Sequence, residues 1–418
     1  MREMKDSGIE WIGQIPKGWE LRRAKTLFMQ RNSKGNGIEV LLSPTQKYGV
    51  VPQGQLEGVV QVKEDTDLQM FKTVHKGDFV ISLRSFQGGF EYSLYEGVCS
   101  PAYQVFYPTS PICDTYYRYL FKSQSFISKM NNLTVGIREG KNIQYVDFAN
   151  SQIPVPPLAE QERIAAFLDA ECAEIDAVLE KTRASIEEYK KLKQAVITRA
   201  VTKGIRGDRP MKDSGSVWFE EIPCNWVMKR IKYLFHIKKD IAGKEGYTVL
   251  SITQSGIKPK DLSKNEGQLA DNYSHYQLLN PGDFAMNHMD LLTGWVDISK
   301  YSGVTSPDYR VFVLDDTEKN DSSYYLYLMQ MCYFNRIFYG LGQGVSGMGR
   351  WRLQADKFLN FPVVVPPVDE QKEIASYLNE KCSGIEVMIV KKQQYLTEIE
   401  NYKKSLIYEY VTGKKEVV

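Results

Sequence analysis

The sequence predicts an α+β protein: two tandem mixed α/β domains related by pseudo-two-fold symmetry and separated by two long helices that form an antiparallel coiled coil. Three observations carry this prediction. The two halves of the 418-residue chain repeat one another. Each half begins with short β-like runs and short helical segments. Each half then ends in a long segment with a heptad pattern of apolar side chains.

The composition is that of a folded protein. Hydrophobic residues make up 43% and charged residues 25% of the chain, which argues against disordered and fibrous classes, and the length corresponds to two or three domains. The formal net charge is only +2, so any nucleic-acid binding must rest on local features. No stretch approaches the roughly 20 apolar residues of a membrane span, and no apolar signal-peptide core opens the chain. We therefore expect a cytoplasmic protein.

Cysteine usage argues against a metal or disulfide framework. There is no C-x-x-C pair, and only four histidines are present to complete a metal site. We expect no structural zinc and no disulfides among the six scattered cysteines: Cys99, Cys113, Cys172, Cys224, Cys332 and Cys382.

The start of each half shows the duplication most clearly. Residues 4–28 align without gaps on residues 211–235, with 13 of 25 positions identical, whereas chance would give about one or two. The shared frame, called the opening motif below, is M-K-D-S-G-x-x-W-x-x-x-I-P-x-x-W. Further repeats follow at Thr45-Gln46 and Thr253-Gln254, at Gly77-Asp78-Phe79 and Gly282-Asp283-Phe284, and at Ser100-Pro101 and Ser306-Pro307. Each half is thus a complete domain with an appendage, and not a short solenoid repeat.

The first part of each half reads as mixed α and β. Short β-branched and aromatic runs predict strands at 79–83, 105–107, 249–252 and 311–314. Residues 116–130 and 324–338 predict short helices. The two tryptophans of each opening motif are interpreted as core, because large aromatic side chains dominate burial.

After each double proline the pattern becomes helical. Pro156-Pro157 and Pro366-Pro367 cannot continue a helix and so define its start, while nearby acids suit the positive end of the helix dipole. A helix from about Glu162 to Ala200 would be roughly 55 to 60 Å long. The first seam is Leu168, Cys172, Ile175, Leu179, Thr182, Ile186, Tyr189, Lys193, Val196 and Ala200. The second is Leu378, Cys382, Ile385, Ile389, Lys392, Leu396, Ile399, Lys403, Leu406 and Tyr410.

Each seam needs an apolar partner, so the second helix is expected to run back along the first. The predicted boundaries are 1–157 for the first globular domain, 158–205 for the central helix, 206–367 for the second domain and 368–418 for the C-terminal helix. The exposed outer faces of the helices are the expected partner surface.

Catalytic signatures are absent. The Asn-Pro-Pro-aromatic motif of amino-methyltransferases does not occur, because Asn280-Pro281 is followed by glycine. A nuclease centre built from Asp308 and Glu370 is weakly supported, since Glu370 lies at a helix start and the first half has alanine where the second has Asp308. The glycine-rich run 340–349 lacks a Walker lysine and is interpreted as a mobile loop. We expect no catalytic residue and no metal ligand.

The two copies keep their frame but change certain loops, which suggests two readers of different targets. After Gly-Asp-Phe, residues 82–89 and 287–294, called the variable loops below, carry side chains able to bond base edges: Arg84, Ser85 and Gln87 in the first, Asn287 and His288 in the second. A second loop before each double proline carries groups suited to phosphates: Arg138, Lys141 and Asn142, then Arg350 and Arg352. Thr45, Gln46, Thr253 and Gln254 recur in both halves and are predicted to serve as framework or backbone contacts.

The opening motif, the P-P-L-x-E-Q and P-P-x-x-E-Q helix starts and the duplicated long helices resemble the specificity subunit of type I restriction-modification enzymes. The resemblance covers essentially the whole chain. It implies that each globular part is a target recognition domain reading one half of a bipartite DNA site. It also implies that the helices act as spacer and dock two modification subunits, and through them restriction subunits. S-adenosylmethionine, ATP and Mg would be bound by those partners and not by this chain.

Two other classes of function stay open on the sequence alone. The recognition half of a split type II enzyme would look much like this chain. A purely structural coiled-coil connector would not need two copied domains with divergent loops.

Overall fold

Each half of the chain builds its own sheet and core in the computed structural model, which describes residues 2–35, 40–56, 68–133, 143–261, 272–344 and 351–417. The chain divides into two units. The first unit comprises Met1–Arg183 together with Gln394–Val418, and the second comprises Ala184–Gln393. Both long helices therefore contribute residues to both units.

The strands of the first unit are β1 (Met4–Asp6), β2 (Gln14–Pro16), β3 (Glu20–Arg23), β4 (Phe28–Arg31), β5 (Leu42–Thr45), β6 (Gly49–Pro52), β7 (Lys72–Val74), β8 (Phe79–Ile81), β9 (Glu91–Tyr92), β10 (Gly97–Cys99), β11 (Gln104–Pro108) and β12 (Gln152–Val155). Its short helices are α1 (Ser85–Gly88), α2 (Asp114–Lys122), α3 (Gln124–Leu133) and α4 (Tyr145–Asn150). The long helix α5 (Leu158–Lys203) follows and passes into the second unit.

The strands of the second unit are β13 (Met211–Asp213), β14 (Glu221–Pro223), β15 (Val227–Arg230), β16 (Phe235–Lys238), β17 (Leu250–Thr253), β18 (Gly256–Pro259), β19 (Gln277–Leu279), β20 (Phe284–Met286), β21 (Val296–Ile298), β22 (Gly303–Thr305), β23 (Arg310–Leu314), β24 (Gln343–Gly344), β25 (Trp351–Arg352) and β26 (Pro362–Val365). Its short helices are α6 (Ser322–Phe334), α7 (Ile337–Gly340) and α8 (Ala355–Asn360). The second long helix is α9 (Val368–Val411).

The central sheet has the same antiparallel order in both units, β4-β11-β8-β9 in the first and β16-β23-β20-β21 in the second. Equivalent phenylalanines face each other across equivalent strands: Phe106 lies opposite Phe79, and Phe312 lies opposite Phe284. The two ring pairs stack with centroids 5.3 and 5.2 Å apart. The repeated sequence therefore folds into repeated cores.

The predicted short helices are each interrupted. Residues 116–130 were expected to form one helix, but Ser123 is extended, with ψ of 139°, and separates α2 from α3. Its hydroxyl and its backbone N–H both donate to the carbonyl of Leu120, at 2.7 and 3.1 Å, and close the last turn of α2. In the second unit Arg336 adopts a left-handed conformation, with φ of 57°, between α6 and α7.

The glycine-rich run is not simply a mobile loop. Gln343 and Gly344 form β24, which pairs with β25, while residues 345–350 lie outside the described residues. The Trp351 ring stacks on Tyr339 with centroids 5.3 Å apart. A Cβ at Gly342 or Gly344 would come within 2.4 and 2.6 Å of that indole, so glycine is required for its close approach.

Helices α5 and α9 begin directly after the double prolines, at the predicted boundaries, and have 46 and 44 residues. Gly204 and Gly413 follow them with φ of +77° and +71°, the left-handed conformation typical of a helix C-terminus. Over the described residues, no helix is both long and apolar enough to cross a membrane.

The opening motif is fastened to the first turn of the following helix. Of the tryptophans predicted to be core, Trp19 and Trp226 are almost fully buried, whereas Trp11 and Trp218 are partly buried and pack against the edges of the two cores. The indole N–H groups of Trp19 and Trp226 donate to Glu160 at 2.9 Å and to Glu370 at 3.0 Å. Each glutamate also pairs with an arginine that precedes the opening motif, Glu160 with Arg2 and Glu370 with Arg209. The two glutamates thus connect the opening motif to the start of the long helix. They also lie at the positive end of the helix dipole.

The glutamine after each of these acids closes a second connection. Gln161 accepts the N–H of Cys113 at 2.9 Å and donates to the carbonyl of Pro156 at 2.8 Å. Gln371 makes the equivalent bonds to Asp321 and Pro366 at 2.8 and 2.9 Å. The repeated E-Q pair therefore fixes each helix start to the globular part that precedes it.

Inside each unit the two long helices run antiparallel. In the first unit, Asp176 of α5 pairs with Lys403 of α9, and Arg183 pairs with Glu400 at 2.7 Å. In the second unit, the ammonium group of Lys392 lies over the ring of Tyr189 at 5.7 Å, and Lys193 pairs with Glu386 at 2.8 Å. The contact residue in α9 decreases in number as that in α5 increases, which confirms the predicted antiparallel pairing within each unit.

Candidate nucleic-acid interface

In the first unit the repeated Thr-Gln pair shapes and clamps the variable loop. Thr45 ends β5, and its hydroxyl donates to the carbonyl of Gly49 at 3.0 Å, which closes the β5–β6 turn. The exposed Gln46 amide donates to the side chain of Gln87 at 3.2 Å and to the carbonyl of Arg84 at 3.5 Å. The pair therefore connects a hairpin to residues 82–89.

The second unit repeats this arrangement with a different loop. Thr253 donates to the carbonyl of Gly256 at 2.9 Å, and the exposed Gln254 donates to the carbonyl of Thr293 at 3.3 Å. Both Thr-Gln pairs thus hold a variable loop through its backbone. This geometry fits a framework role for the Thr-Gln pairs. The side chains of Gln46 and Gln254 are exposed next to the variable loops.

The first variable loop exposes Arg84 and Gln87 but not Ser85. Ser85 begins α1 and is only 1% exposed, and its hydroxyl accepts the N–H of Ser82 at 2.7 Å. Its inclusion among base-reading residues is not supported by this geometry, because the hydroxyl is used to close the loop. Arg84 and the amide nitrogen of Gln87 remain available to a ligand, while the Gln87 side-chain oxygen accepts from Gln46.

In the second variable loop Asn287 also serves the loop itself. Its side-chain oxygen accepts the N–H groups of Met289 and Asp290, both at 3.2 Å. The hydroxyl of Tyr333 donates to the Asn287 carbonyl at 2.9 Å. Asn287 therefore holds the turn, and only its amide nitrogen is left to reach a partner.

His288 and Arg352 come close together, although 64 residues separate them. Burial first, and then the guanidinium groups of Arg310 and Arg352, lower the pKa of His288 to about 4, so its imidazole is neutral at neutral pH. Nδ1 of His288 and Nε of Arg352 are buried without a hydrogen-bond partner among the described residues. The structure thus gathers one predicted base reader and one predicted phosphate contact in a single cationic region of the second unit.

Four predicted contacts cannot be placed. Arg138, Lys141, Asn142 and Arg350 lie outside the described residues.

Two charged residues near the variable loops escaped the sequence analysis. Lys122 donates to both carboxylate oxygens of the buried Glu91 at 2.6 Å and to the carbonyl of Gln46 at 3.3 Å. It therefore connects β9 to the turn between β5 and β6. Arg310 lies in β23 beside His288 and is 6% exposed. The sequence signal for Arg310 was a charged residue directly before an apolar run. The predicted strand began one residue later, at Val311, and so left Arg310 out.

The seam residues are turned inward. Leu168, Ile175, Leu179, Ile186, Leu378, Ile389 and Leu406 are buried, and Tyr189, Val196, Ile385, Leu396 and Ile399 are half-buried. Lys193 and Lys403 occupy seam positions with their aliphatic stems while their ammonium groups pair with Glu386 and Asp176. The outer faces instead expose apolar side chains: Val178, Tyr395 and Tyr402 in the first unit, and Leu192, Val387, Met388 and Val390 in the second.

Comparison with known proteins agrees with this architecture. The sequence model of the family described as type I restriction modification DNA specificity domain matches residues 16–188 and again residues 223–398. The two matches cover most of the chain, one in each half. The chain therefore belongs to this family, as its motifs indicated, and is a type I restriction-modification specificity subunit.

Curated relatives and solved structures agree. The Type I restriction enzyme MjaVIII specificity subunit of Methanocaldococcus jannaschii is 27% identical over 297 residues, which cover 67% of this chain and 66% of that relative. The Putative type I restriction enzyme MjaX specificity subunit of the same organism is 23% identical, with 97% and 96% covered.

A structure described as "Structural basis underlying complex assembly and conformational transition of the type I R-M system" matches with a TM-score of 0.68 at 14% identity, covering 96% of this chain and 99% of that one. The HsdS subunit from Thermoanaerobacter tengcongensis matches with a TM-score of 0.50 at 15% identity, covering 96% and 98%. These likenesses confirm the predicted fold class.

Proposed function

We propose that each globular part reads one half of a bipartite, asymmetric DNA site, and that the chain alone has no catalytic activity. The observation that carries this proposal is the repeated frame with unlike loops. Both units hold a variable loop through the same Thr-Gln pair, yet the loop side chains differ: the first loop exposes Arg84 and Gln87, whereas the second carries the partly buried His288. Such side chains can discriminate base pairs in a major groove.

The paired helices set the spacing between the two readers and dock two modification subunits. Apolar side chains on the outer faces of α5 and α9, such as Leu192 at 49% and Tyr402 at 55% exposed, support a protein interface there. Restriction subunits join through that assembly. S-adenosylmethionine, ATP and Mg are bound by the partners, in keeping with the lack of cofactor motifs in this sequence.

The test is reconstitution. The chain is coexpressed with a modification subunit, the complex is purified, and methylated adenines are mapped on genomic DNA. The complex should methylate one bipartite sequence, whereas the chain alone should methylate nothing and bind no S-adenosylmethionine in a calorimetric titration. Methylation of adenines in every context, or tight cofactor binding by the chain alone, would contradict the proposal.

A matched pair of variants tests the variable loop within that complex. Arg84→Ala should lose about 1 to 3 kcal/mol of discrimination at one position of the first half-site. Arg22→Ala, an exposed arginine of the same unit in β3, should leave the methylated sequence unchanged. Equal effects of the two substitutions would show that Arg84 acts through charge and not through base recognition.

A further inference from the structure

Gln104 and Arg310 occupy equivalent positions in the two units and make an equivalent hydrogen bond, but only Arg310 is charged. Gln104 begins β11 opposite Ile81, and Arg310 begins β23 opposite Met286. The Gln104 amide donates to the carbonyl of Ile143 at 3.3 Å. Arg310 Nη2 donates to the carbonyl of Leu353, the residue equivalent to Ile143, at 2.8 Å.

The comparison shows that a neutral amide is sufficient for this bond. The side chain of Gln104 is satisfied on both sides, since it also donates to Gln144 at 3.0 Å and accepts the N–H of Tyr145 at 2.7 Å. The fold therefore does not require a positive charge at this position. The charge that Arg310 brings to the second unit needs another explanation.

Arg310 carries that charge without an acidic partner. It is 6% exposed, its guanidinium lies over the ring of Phe358 at 5.0 Å and Nη1 reaches the sulfur of Met286 at 3.9 Å, and no acid among the described residues pairs with it. Burial lowers the pKa of Arg310 to about 10, so it is still protonated at neutral pH. A buried charge that lacks a counter-ion is costly, and it is retained most readily where a ligand supplies the opposite charge.

Arg310 lines a cavity of about 410 Å³ that is suited to an anion. The cavity is also lined by Lys239, Gln277, His288, Tyr309 and Gln354, and among the described residues no carboxylate lines it. The acid nearest to Arg310 in the sequence is Asp308, which is exposed. Burial and then the negative charge of Asp308 raise the pKa of Tyr309. His288 adds a neutral imidazole, and Arg352 adds a second guanidinium beside it.

We propose that this cavity binds a phosphate group of the DNA backbone next to the second half-site. The inference rests on the proposed DNA-reading function and assigns Arg310 the anchoring role. A phosphate fits better than a base edge, because Arg310 is buried within the cavity and one arm of its guanidinium already bonds Leu353. The first unit has no equivalent charge, so the two half-sites are held differently.

The test compares Arg310→Gln with wild type in the assembled complex with modification subunits. The substitution installs the residue of the first unit, so the thermal midpoint should stay within a few degrees of wild type. DNA affinity should fall about tenfold for specific and unrelated duplexes alike, and the slope of log Kd against log salt should decrease by about one. Arg310→Lys, which retains the charge, should keep the wild-type slope.

Lys229→Gln is the matched control, since it removes one exposed positive charge from β15 of the same unit. Its salt slope should remain that of wild type, and a loss equal to that of Arg310→Gln would overturn the proposal. So would unfolding of Arg310→Gln, an unchanged slope, or relaxed specificity at a single base pair. Binding of inorganic phosphate at the cavity without any effect on DNA affinity would reassign it to free phosphate. If the wild-type complex itself shows no preference for a bipartite site, the proposed function fails instead.

Discussion

Single acids at the start of each long helix connect distant parts of the chain. Glu370 is 1% exposed and is bonded by the indole of Trp226, the guanidinium of Arg209 and the amide of Asn225. The sequence predicted an acid at a helix start and a buried tryptophan. It could not predict that the two are partners, because helical periodicity and burial tendencies are local and this contact spans 144 residues.

Removing this acid should be far more harmful than removing its neighbour. Glu370→Ala should cost about 3 kcal/mol, because it leaves the partly buried guanidinium of Arg209 without its counter-ion and the buried indole of Trp226 without an acceptor. Glu373→Ala, one turn further along α9, breaks only the exposed pair with Arg206 and should cost less than about 1 kcal/mol. Urea denaturation followed by circular dichroism measures both, and similar losses would contradict the role of Glu370.

His288 gives a prediction for acidic pH. Its pKa is lowered to about 4 by burial and two arginines, whereas an unfolded histidine has a pKa near 6.5. The folded state therefore prefers the neutral imidazole. The contribution of His288 to stability is complete above pH 6.5, declines as the pH falls below that value, and is lost as the pH falls through about 4. Selective NMR of the histidine imidazoles, with His288→Gln for assignment, should show the His288 signal titrating near pH 4. A midpoint at or above 6.5 for that signal would refute the proposed environment.

At the scale of secondary-structure elements, the long helices were the most predictable part. A heptad stripe and double prolines are local signals, and α5 and α9 begin at Leu158 and Val368, directly after those prolines. The short elements were less predictable. The break at Ser123 is accompanied by a side-chain hydrogen bond, and the pairing of β24 with β25 by the stacking of Trp351 on Tyr339; no periodicity reveals either feature.

The seam predicts unequal effects of adjacent substitutions in α9. Ile389 is 5% exposed and faces the paired helix, whereas the next residue, Val390, is 43% exposed. Ile389→Ala should destabilise the protein by about 2 to 4 kcal/mol through lost burial and a cavity, while Val390→Ala should change stability by less than about 0.5 kcal/mol. Thermal unfolding of both variants decides this, and a larger loss for Val390→Ala would place the seam on the wrong face.

At the scale of the whole molecule, the chain is organised as two units that share their long helices. The predicted boundaries gave each helix a segment of its own, but contacts group residues 394–418 with the first unit and residues 184–203 with the second. The duplication could be predicted from identities in the opening motif. The ligands of the variable loops could not, because the copies differ there and neither provides a template for the other.

Lengthening both helices tests whether they set the spacing. Seven residues inserted between Glu180 and Lys181 of α5, with seven between Glu400 and Asn401 of α9, preserve the heptad phase and add about 10 Å. The methylated site should keep both half-sequences while its unspecified gap grows by about three base pairs, at a rise of roughly 3.4 Å per pair. Four-residue insertions break the phase and should also reduce stability. Active seven-residue variants with an unchanged gap would mean that the helices do not set the distance.

The most direct test of the central claim, that each half of the chain reads its own half-site, is a domain exchange. Residues 1–157 are replaced by the corresponding segment of a relative with a different first variable loop, and the methylated adenines of the reconstituted complex are mapped by sequencing. Because the units have separate cores, their readouts should be nearly independent. We predict that one half of the methylated sequence changes while the other half stays the same. A change in both halves, or in neither, would contradict the claim.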